Sequence, residues 1–240
     1  MFFDRPMSKE EMDSYREHIR RRATREPLQH ILGETGFMNL TIKVSPAALI
    51  PRPETEVLVE KVMAINPKSG ARILDIGTGT GCIAISLAQE LEEVKVLGID
   101  ISTEALGLAK KNAILNETEV RFQKVDILTE LPKIDDRFDL VVSNPPYIDK
   151  RETDQLQEEV RGFDPGLALF AENDGLEFYQ RFADILPDLL IPSGQFLFEF
   201  GGSPQEKDVL NIFMEKGYHD LEIIQDYNGD PRIITGKYLP

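Results

Sequence analysis

Cysteine is nearly absent from this sequence, since Cys82 is alone among 240 residues. A single cysteine excludes an internal disulfide and fits a reducing cytosol. The three histidines are scattered, and with one cysteine they form no spacing typical of a metal site. No segment approaches the length of a transmembrane helix, and the start lacks the apolar run of a signal peptide. We therefore expect a cytoplasmic protein with no bound metal and no membrane association.

Basic residues are also scarce, because 42 acids outnumber 27 bases and the net charge is −15. Residues 1–37 hold seven acids and seven bases, so the whole acidic excess lies beyond them. Such an acidic body would repel polyphosphate, which argues against direct binding of nucleic acid. A basic protein partner would instead be attracted. The alternative, that the acidity only serves solubility, stays open.

The order of predicted elements indicates an α/β fold. A chain of 240 residues suggests one substantial domain with a small appendage. From residue 54 onward strands alternate with helices, which predicts a mostly parallel, Rossmann-like sheet with helices on both faces. The last two strands are close in sequence and should form an antiparallel hairpin at one edge. The predicted strands are 71–76, 94–99, 119–125, 138–143, 195–200, 221–225 and 232–237, and the predicted helices are 54–65, 82–91, 103–115, 174–186 and 204–216.

Several stretches do not follow this alternation. Ser8-Lys9-Glu10-Glu11 is a capping box that predicts a charged helix to about Thr24. Residues 40–44 alternate as in a strand, and the three prolines of residues 45–53 predict a stiff linker. Residues 143–166 show little periodicity, and loops longer than about 12–15 residues are usually functional or disordered. We expect this segment to be a substrate-facing flap, with a mobile insertion as the alternative.

A glycine-rich turn, Asp75-Ile76-Gly77-Thr78-Gly79-Thr80-Gly81, joins the first predicted strand to a helix. Its glycines let the backbone approach a ligand closely, at the positive N-terminus of the helix. A dinucleotide site would have a third glycine at position 82, where this chain has Cys82. A P-loop would end in Gly-Lys-Ser/Thr, which is also missing.

Two acidic residues end the next two predicted strands. The carboxylate of Asp100 can accept hydrogen bonds from both hydroxyls of a ribose. Asp126 can accept a hydrogen bond from the amino group of adenine, and Ile127 can form an apolar wall against the adenine ring. The carboxyl ends of neighbouring parallel strands are where open α/β sheets bind ligands. Each acid alone could be a helix cap or a turn residue, but together with the turn they predict S-adenosylmethionine. The expected cofactor-binding residues are Asp75, Gly77, Thr78, Gly79, Thr80, Gly81, Asp100, Ile101, Asp126, Ile127 and Asn144.

The segment Asn144-Pro145-Pro146-Tyr147 directly follows the apolar run 138–143. Proline donates no ladder hydrogen bond and fixes its own φ, so the strand must end in a rigid bend. The bend holds a carboxamide, an aromatic ring and free carbonyls, which together can grip an uncharged, weakly nucleophilic –NH2. We expect the side-chain oxygen of Asn144 and the carbonyl of Pro145 to accept its two N–H bonds.

On these residues the chain closely resembles the HemK/PrmC family, the methyltransferases that modify the glutamine of the Gly-Gly-Gln motif in peptide-chain release factors. The bend is shared with methyltransferases of DNA adenine, ribosomal RNA and ribosomal-protein glutamine. Two more specific segments, residues 26–30 and residues 51–56, favour the release-factor branch. The resemblance covers roughly residues 20–240 and includes Arg25-Glu26-Pro27-Leu28-Gln29-His30-Ile31-Leu32-Gly33, Phe37, Ile50-Pro51-Arg52-Pro53-Glu54-Thr55-Glu56, residues 75–81, Asp100, residues 144–147 and Asp174-Gly175-Leu176.

The resemblance implies a seven-stranded methyltransferase sheet in residues 54–240, preceded in residues 1–53 by the remnant of a helical domain and a hairpin linker. Only about 30 residues precede the linker, so most of the family's helical domain is missing here, which would weaken docking of the release factor. The cofactor is implied to be S-adenosylmethionine, released as S-adenosylhomocysteine. The implied catalytic residues are Asn144, Pro145, Pro146 and Tyr147, and the same residues with Phe37 would bind the substrate.

Several alternatives stay open. Arg52, Glu54 and Glu56 order the linker against the cofactor, touch the substrate, or form a plain structural ion pair. Glu199 fits a structural hydrogen bond better than a catalytic acid. A ribosomal-protein glutamine methyltransferase would share most of these features. A DNA or RNA base methyltransferase uses the same bend after base flipping. A module that only binds cofactor is the non-enzymatic alternative.

Overall fold

The computed structural model describes residues 5–240, so residues 1–4 of the predicted N-terminal segment lie outside the described residues. Its helices are α1 (Lys9–Ala23), α2 (Leu28–Leu32), α3 (Pro53–Ile65), α4 (Cys82–Glu90), α5 (Thr103–Leu115), α6 (Glu158–Phe163), α7 (Gly166–Leu169), α8 (Glu177–Leu189) and α9 (Glu206–Glu215). Its strands are β1 (Glu34–Phe37), β2 (Leu40–Lys43), β3 (Arg72–Ile76), β4 (Lys95–Asp100), β5 (Arg121–Lys124), β6 (Phe138–Ser143), β7 (Ile148–Asp149), β8 (Phe170–Ala171), β9 (Leu190–Glu199), β10 (His219–Gln225) and β11 (Pro231–Lys237).

Seven strands form the central sheet, in the order β10-β11-β9-β6-β3-β4-β5. The pairs among β9, β6, β3, β4 and β5 are parallel, whereas β11 pairs antiparallel with both β9 and β10. The predicted mostly parallel sheet with an antiparallel edge hairpin is therefore confirmed. The chain runs outward from β3 to β5 on one side and from β6 to β9 on the other. The strand order thus reverses between β3 and β6, and a ligand crevice is expected at their carboxyl ends.

The interior of the sheet is buried on both faces, which explains why its strands are nearly continuous apolar runs. Along β9, Phe196 and Phe198 point into one core cluster and Leu197 into the other. The first cluster holds stacked aromatic rings, with 4.6 Å between the ring centroids of Phe196 and Phe213. Such pairs contribute about 0.5–1.5 kcal/mol beyond the area they bury. The second cluster continues into the β1–β2 hairpin, so the hairpin is packed onto the sheet domain.

The N-terminal helix α1 begins where the capping box predicts. The Ser8 side chain accepts from the backbone N–H of Glu11, and the Glu11 carboxylate accepts from the backbone N–H of Ser8. None of the residues of α1 is buried. Arg22 and Arg25 on its last turn and just beyond pair with Glu158 and Glu159 of α6. No helix among the described residues is long and apolar enough to cross a membrane.

The flap predicted at residues 143–166 carries regular structure that the sequence does not predict. It contains a 3-10 helix at Lys150–Gln155 and the helix α6, and its stem is closed by parallel pairing of β7 with β8. These elements are too short to produce a periodic pattern, because a turn or two of helix holds few apolar positions. Ion pairs join α6 and the residue after it to the rest of the molecule: Glu158 and Glu159 pair with Arg22 and Arg25, and Asp164 pairs with Arg52.

The predicted bounds of α8 and β9 differ from the structure. Helix α8 begins at Glu177 instead of residue 174, because Asn173 and Asp174 have positive φ angles of 55° and 59° and so cannot be helical. Burial of Leu189 and Leu190 extends α8 past Pro187 and starts β9 earlier than predicted.

Candidate active site

A cavity of about 700 Å³ lies at the carboxyl ends of β3, β4 and β6, where the strand order reverses. Its lining includes the glycine-rich turn after β3, the linker before α3, the bend after β6, and the residues around α7 and β8 at the end of the flap. The residues that follow β4 and β5 also line it. Of the residues predicted to bind cofactor or substrate, those that line the cavity are Gly77, Thr78, Gly79, Thr80, Asp100, Ile101, Asp126, Ile127, Asn144, Pro145 and Pro146.

The glycine-rich turn is a tight backbone cradle. Gly77, Gly79 and Gly81 all have positive φ angles, of 70°, 55° and 83°. A Cβ on Gly77 would meet no atom within 4 Å, so the space beside that backbone is open to a ligand. A Cβ on Gly81 would instead lie 3.1 Å from the Cβ of Ala109, so Gly81 lets α4 pack closely on α5 and does not line the cavity.

Asp75 is fully buried beneath the turn and does not line the cavity. Its Oδ2 accepts a 2.6 Å hydrogen bond from the hydroxyl of Thr78, and its Oδ1 has no partner. Burial raises the pKa of Asp75 to about 7. Asp75 therefore holds the turn in shape through Thr78.

Asp100 lines the cavity at the end of β4. Its Oδ2 accepts from the backbone N–H of Gly79 at 2.9 Å, and its Oδ1 accepts from the backbone N–H of Ser102 at 2.8 Å. Burial raises the pKa of this carboxyl. Each carboxylate oxygen has a second lone pair, so Asp100 can still accept hydrogen bonds from a ligand's hydroxyl groups.

Asp126 and two isoleucines complete this end of the cavity. Both side-chain oxygens of Asp126 accept hydrogen bonds from the turn that follows it. The backbone N–H of Leu128 donates to Oδ1, and the hydroxyl of Thr129 donates to Oδ2. Ile127 is buried, whereas Ile101 is 44% exposed although it lines the cavity. These side chains form apolar walls, so the acceptors, the glycine cradle and the walls fit an adenosine-bearing ligand.

The bend after β6 is anchored from behind. Ser143 donates to the carbonyl of Ile76 at 2.7 Å, and the amide of Gln205 donates to the carbonyl of Tyr147 at 2.8 Å. A Cβ on Gly175 would collide with that same carbonyl, so only glycine allows the turn before α8 to lie against the bend. Asn144, Pro145 and Pro146 are thereby presented to the cavity.

The structure does not place the two predicted aromatic substrate residues in the cavity lining. Tyr147 packs against the aromatic core cluster, and burial raises the pKa of its hydroxyl. Phe37 is 1% exposed and packs with Leu40 and Ile42 beneath the hairpin. Phe170 and Phe178 line the cavity instead.

The linker, which the sequence left open as a segment ordered against the cofactor, forms part of the cavity wall. Residues 46–52 line the cavity, and Arg52 pairs at 2.6 Å with the buried carboxylate of Asp164 in the flap. Glu56 has a structural role, since it accepts from the backbone N–H of Met38 at 2.7 Å. The prolines of the linker were the available signal, because a stiff segment can form a wall that a flexible one cannot.

The carboxamide of Asn144 is held by Thr55, a residue to which the sequence analysis assigned no role of its own. Its Nδ2 donates to the hydroxyl of Thr55 at 2.9 Å, and Thr55 donates to Oε2 of Glu199 at 2.7 Å. Within residues 5–240, no group of three or more metal-ligating side chains has a geometry that could hold a metal ion.

Two family models match the chain. The methyltransferase small domain matches residues 53–160, and the PrmC N-terminal domain matches residues 1–33. The release factor glutamine methyltransferase of Geobacter sulfurreducens is 41% identical over 98% of this chain and 81% of its own length. The Lactococcus lactis protein of the same name is 47% identical over 88% of this chain and 77% of its own length.

Solved structures agree on the fold. A methyltransferase from Pyrococcus furiosus superposes with a TM-score of 0.65 at 19% identity, over 92% of this chain and 99% of that one. The ribosomal protein L11 methylase of Lactobacillus delbrueckii subsp. bulgaricus superposes with a TM-score of 0.53 at 22% identity, over 79% of each chain. At these identities the likeness concerns the fold alone.

Proposed function

We propose, since this chain belongs to the release factor glutamine methyltransferase family, that it transfers a methyl group from S-adenosylmethionine to the side-chain nitrogen of the glutamine in the Gly-Gly-Gln motif of peptide-chain release factors. One observation carries the proposal. The carboxamide of Asn144 and the glycine-rich cradle line the same cavity, together with Asp100.

The cofactor would be held by this chain's own cradle and walls. The backbone of residues 77–80, the carboxylates of Asp100 and Asp126, and the side chains of Ile101 and Ile127 are the groups that fit it. When bound, S-adenosylmethionine supplies an electrophilic methyl group and leaves as S-adenosylhomocysteine. Asp75 acts from beneath by fixing Thr78.

The catalytic problem is that an amide nitrogen is a poor nucleophile, because its lone pair is delocalised into the carbonyl. Oδ1 of Asn144 and the carbonyl oxygen of Pro145 would accept hydrogen bonds from the two N–H groups of the glutamine side chain. These acceptors fix the direction of the nitrogen lone pair and stabilise positive charge as it develops on nitrogen. No base is needed beforehand, since one N–H proton becomes acidic only as the new bond forms and then passes to solvent water. Pro146 makes the bend rigid.

The partner we propose is a protein. The acidic excess beyond residue 37 would attract and steer a basic partner, while it disfavours a polyphosphate backbone. We place the reaction in the cytoplasm, where release factors act. We assign the transfer chemistry to residues 54–240, and to residues 1–53 a part in forming the cavity wall and in docking, which the family-model matches at 53–160 and 1–33 support.

The test is transfer of radiolabelled methyl from S-adenosylmethionine to purified release factor. A release factor whose motif glutamine is replaced is the matched control. Purified ribosomal proteins, a DNA duplex and a short Gly-Gly-Gln peptide are separate arms. Label only on the unmutated factor is the expected result, and label on ribosomal protein or DNA instead would overturn the proposal.

A further inference from the structure

We propose that Thr55 and Glu199 are positioning residues that orient the carboxamide of Asn144 so that its oxygen, and not its –NH2, faces the cavity. The proposal deepens the proposed function and rests on it for its catalytic consequence. The geometric part, which end of Asn144 faces inward, stands on the free protein alone.

The relay consists of two hydrogen bonds between three elements distant in sequence. Asn144 follows β6, Thr55 lies in the first turn of α3, and Glu199 ends β9. Nδ2 of Asn144 lies 2.9 Å from Oγ1 of Thr55, which lies 2.7 Å from Oε2 of Glu199. Both distances are those of ordinary hydrogen bonds.

Glu199 decides the polarity of this relay. An ionised carboxylate can only accept, so the single hydroxyl proton of Thr55 is donated to Glu199. The remaining lone pairs of Thr55 then accept, and the only matching end of Asn144 is its –NH2. The side-chain oxygen of Asn144 is consequently left free to face the cavity.

Burial protects this arrangement from water. Thr55 is 2% exposed and Glu199 is 1% exposed, so solvent does not compete for either bond. Arg232 of β11 supplies the nearby positive charge, while Glu54 and the phenol of Tyr147 also face the carboxyl group. Burial raises the pKa of Glu199 to about 7, so the carboxylate form predominates at pH 8.

The orientation matters because the incoming group is itself an –NH2. An oxygen facing the cavity accepts one of its N–H bonds, whereas an –NH2 facing the cavity would set donor against donor. Without Thr55 the Asn144 amide could adopt either orientation, and only one of them binds the substrate nitrogen productively. The loss should therefore fall mainly on turnover.

The kinetic test compares Thr55→Val, which keeps the shape but removes the hydroxyl, with Thr55→Ser, which keeps the hydroxyl. At pH 8 we expect Thr55→Val to lower kcat about 10- to 100-fold, with the KM for release factor and the cofactor Kd within about threefold. Thr55→Ser should recover most of that loss. Thr235→Val in β11 makes the same chemical change outside the cavity lining and is the matched control.

A double-mutant cycle separates positioning from direct contact, since Thr55 also lines the cavity. If Thr55 acts through Asn144, adding Thr55→Val to Asn144→Ala should change kcat by less than about twofold. A full additional loss in that background would overturn the proposal. Equal losses in Thr55→Val and Thr55→Ser would overturn it as well.

A second readout needs no activity. The side-chain N–H resonances of Asn144, assigned by their disappearance in Asn144→Ala, should shift and exchange faster with solvent in Thr55→Val but not in Thr55→Ser. Unmoved resonances in Thr55→Val would overturn the relay. If the parent protein fails to methylate release factor, the proposed function fails, and this measurement still decides the relay.

Discussion

At the scale of single residues, what a side chain does in this site depends on the direction in which the fold points it. Tyr147 follows the two prolines of the bend, yet its ring packs into the aromatic core. Asn144 reaches the cavity, and its carboxamide is held by Thr55, 89 residues away in sequence. Residue type indicates which chemistry is available, and the neighbours decide whether it is used.

Substitution of Asn144 should mainly lower turnover, whereas substitution of Asp100 should mainly weaken cofactor binding. Asn144→Ala removes the acceptor that we propose for the substrate nitrogen, so we expect turnover to fall by about two to three orders of magnitude while cofactor affinity stays within a few-fold. Asp100→Ala removes the charge-assisted hydrogen bonds that we propose to the cofactor, so the affinity for cofactor should fall first, by about 10- to 100-fold.

Isothermal titration with cofactor, beside the methyl-transfer assay, measures both effects. Unchanged turnover in Asn144→Ala would contradict its catalytic role. A cofactor affinity equal to the parent's in Asp100→Ala would remove Asp100 from the site.

At the scale of elements, the site is assembled where short irregular segments are fastened to one another. The linker before α3 is tied to the flap by Arg52 and Asp164. The bend after β6 is tied to the turn before α8 by Gln205, which donates to the carbonyls of Tyr147 and Asp174. These contacts hold in place the loops that line the cavity, which a site built on loops needs more than one built on strands or helices.

Gly175→Ala tests whether the contact between that turn and the bend is required. The added Cβ would collide with the Tyr147 carbonyl at a residue whose φ is +80°, so both thermal stability and turnover should fall. Gly217→Ala is the matched control, because its φ is +78° and its Cβ would meet nothing within 4 Å.

The control should lose about 1–2 kcal/mol of unfolding free energy, the cost of a left-handed residue, with turnover unaffected. Thermal unfolding and the transfer assay would be measured on both variants. Equal effects of the two substitutions would show that backbone strain alone, and not the contact with the bend, explains the loss.

At the scale of the whole molecule, the burial of Glu199 and Asp75 makes the stability of this acidic protein depend on pH. Burial raises the pKa of Glu199 to about 7 from its ordinary value of 4.5, and that of Asp75 to about 7 from 3.8. Between those values the folded state binds more protons than the unfolded state, so these groups stabilise the fold less as pH rises.

The pH dependence of stability therefore provides a whole-molecule prediction. Glu199→Gln removes one of these groups, so we expect the stability of the variant relative to the parent to increase as pH rises from about 4.5 to 7, and to level off above the folded pKa. Burial lowers the pKa of His30, so this group makes the protein more stable as pH rises. Because His30 is present in both the parent and the variant, its contribution cancels when their stabilities are compared. Denaturant unfolding at several pH values measures the difference, and a difference that does not vary with pH would contradict it.

Much of the fold was predictable from the sequence, because local signals specify its regular elements. The capping box fixed the start of α1, and α5 begins at Thr103 as predicted, where Ser102 accepts from the backbone N–H of Ala105 at 3.1 Å. Apolar runs followed by turn residues identified all seven strands of the sheet. The predicted ends of an element were wrong where burial or a positive φ angle outweighed the hydrophobic pattern of the sequence, as in α8.

The sequence by itself determined the α/β class, the glycine-rich turn and the Asn-Pro-Pro-Tyr bend, because backbone geometry at glycine and proline is a local property. Only the tertiary structure decided that Thr55 and Glu199 meet at Asn144, that Phe170 and Phe178 and not Phe37 line the cavity, and that the linker forms one of its walls. These contacts join residues far apart in the chain, up to 144 positions in the case of Thr55 and Glu199. No local pattern encodes such a contact, since it arises only when separate strands and helices pack into one sheet.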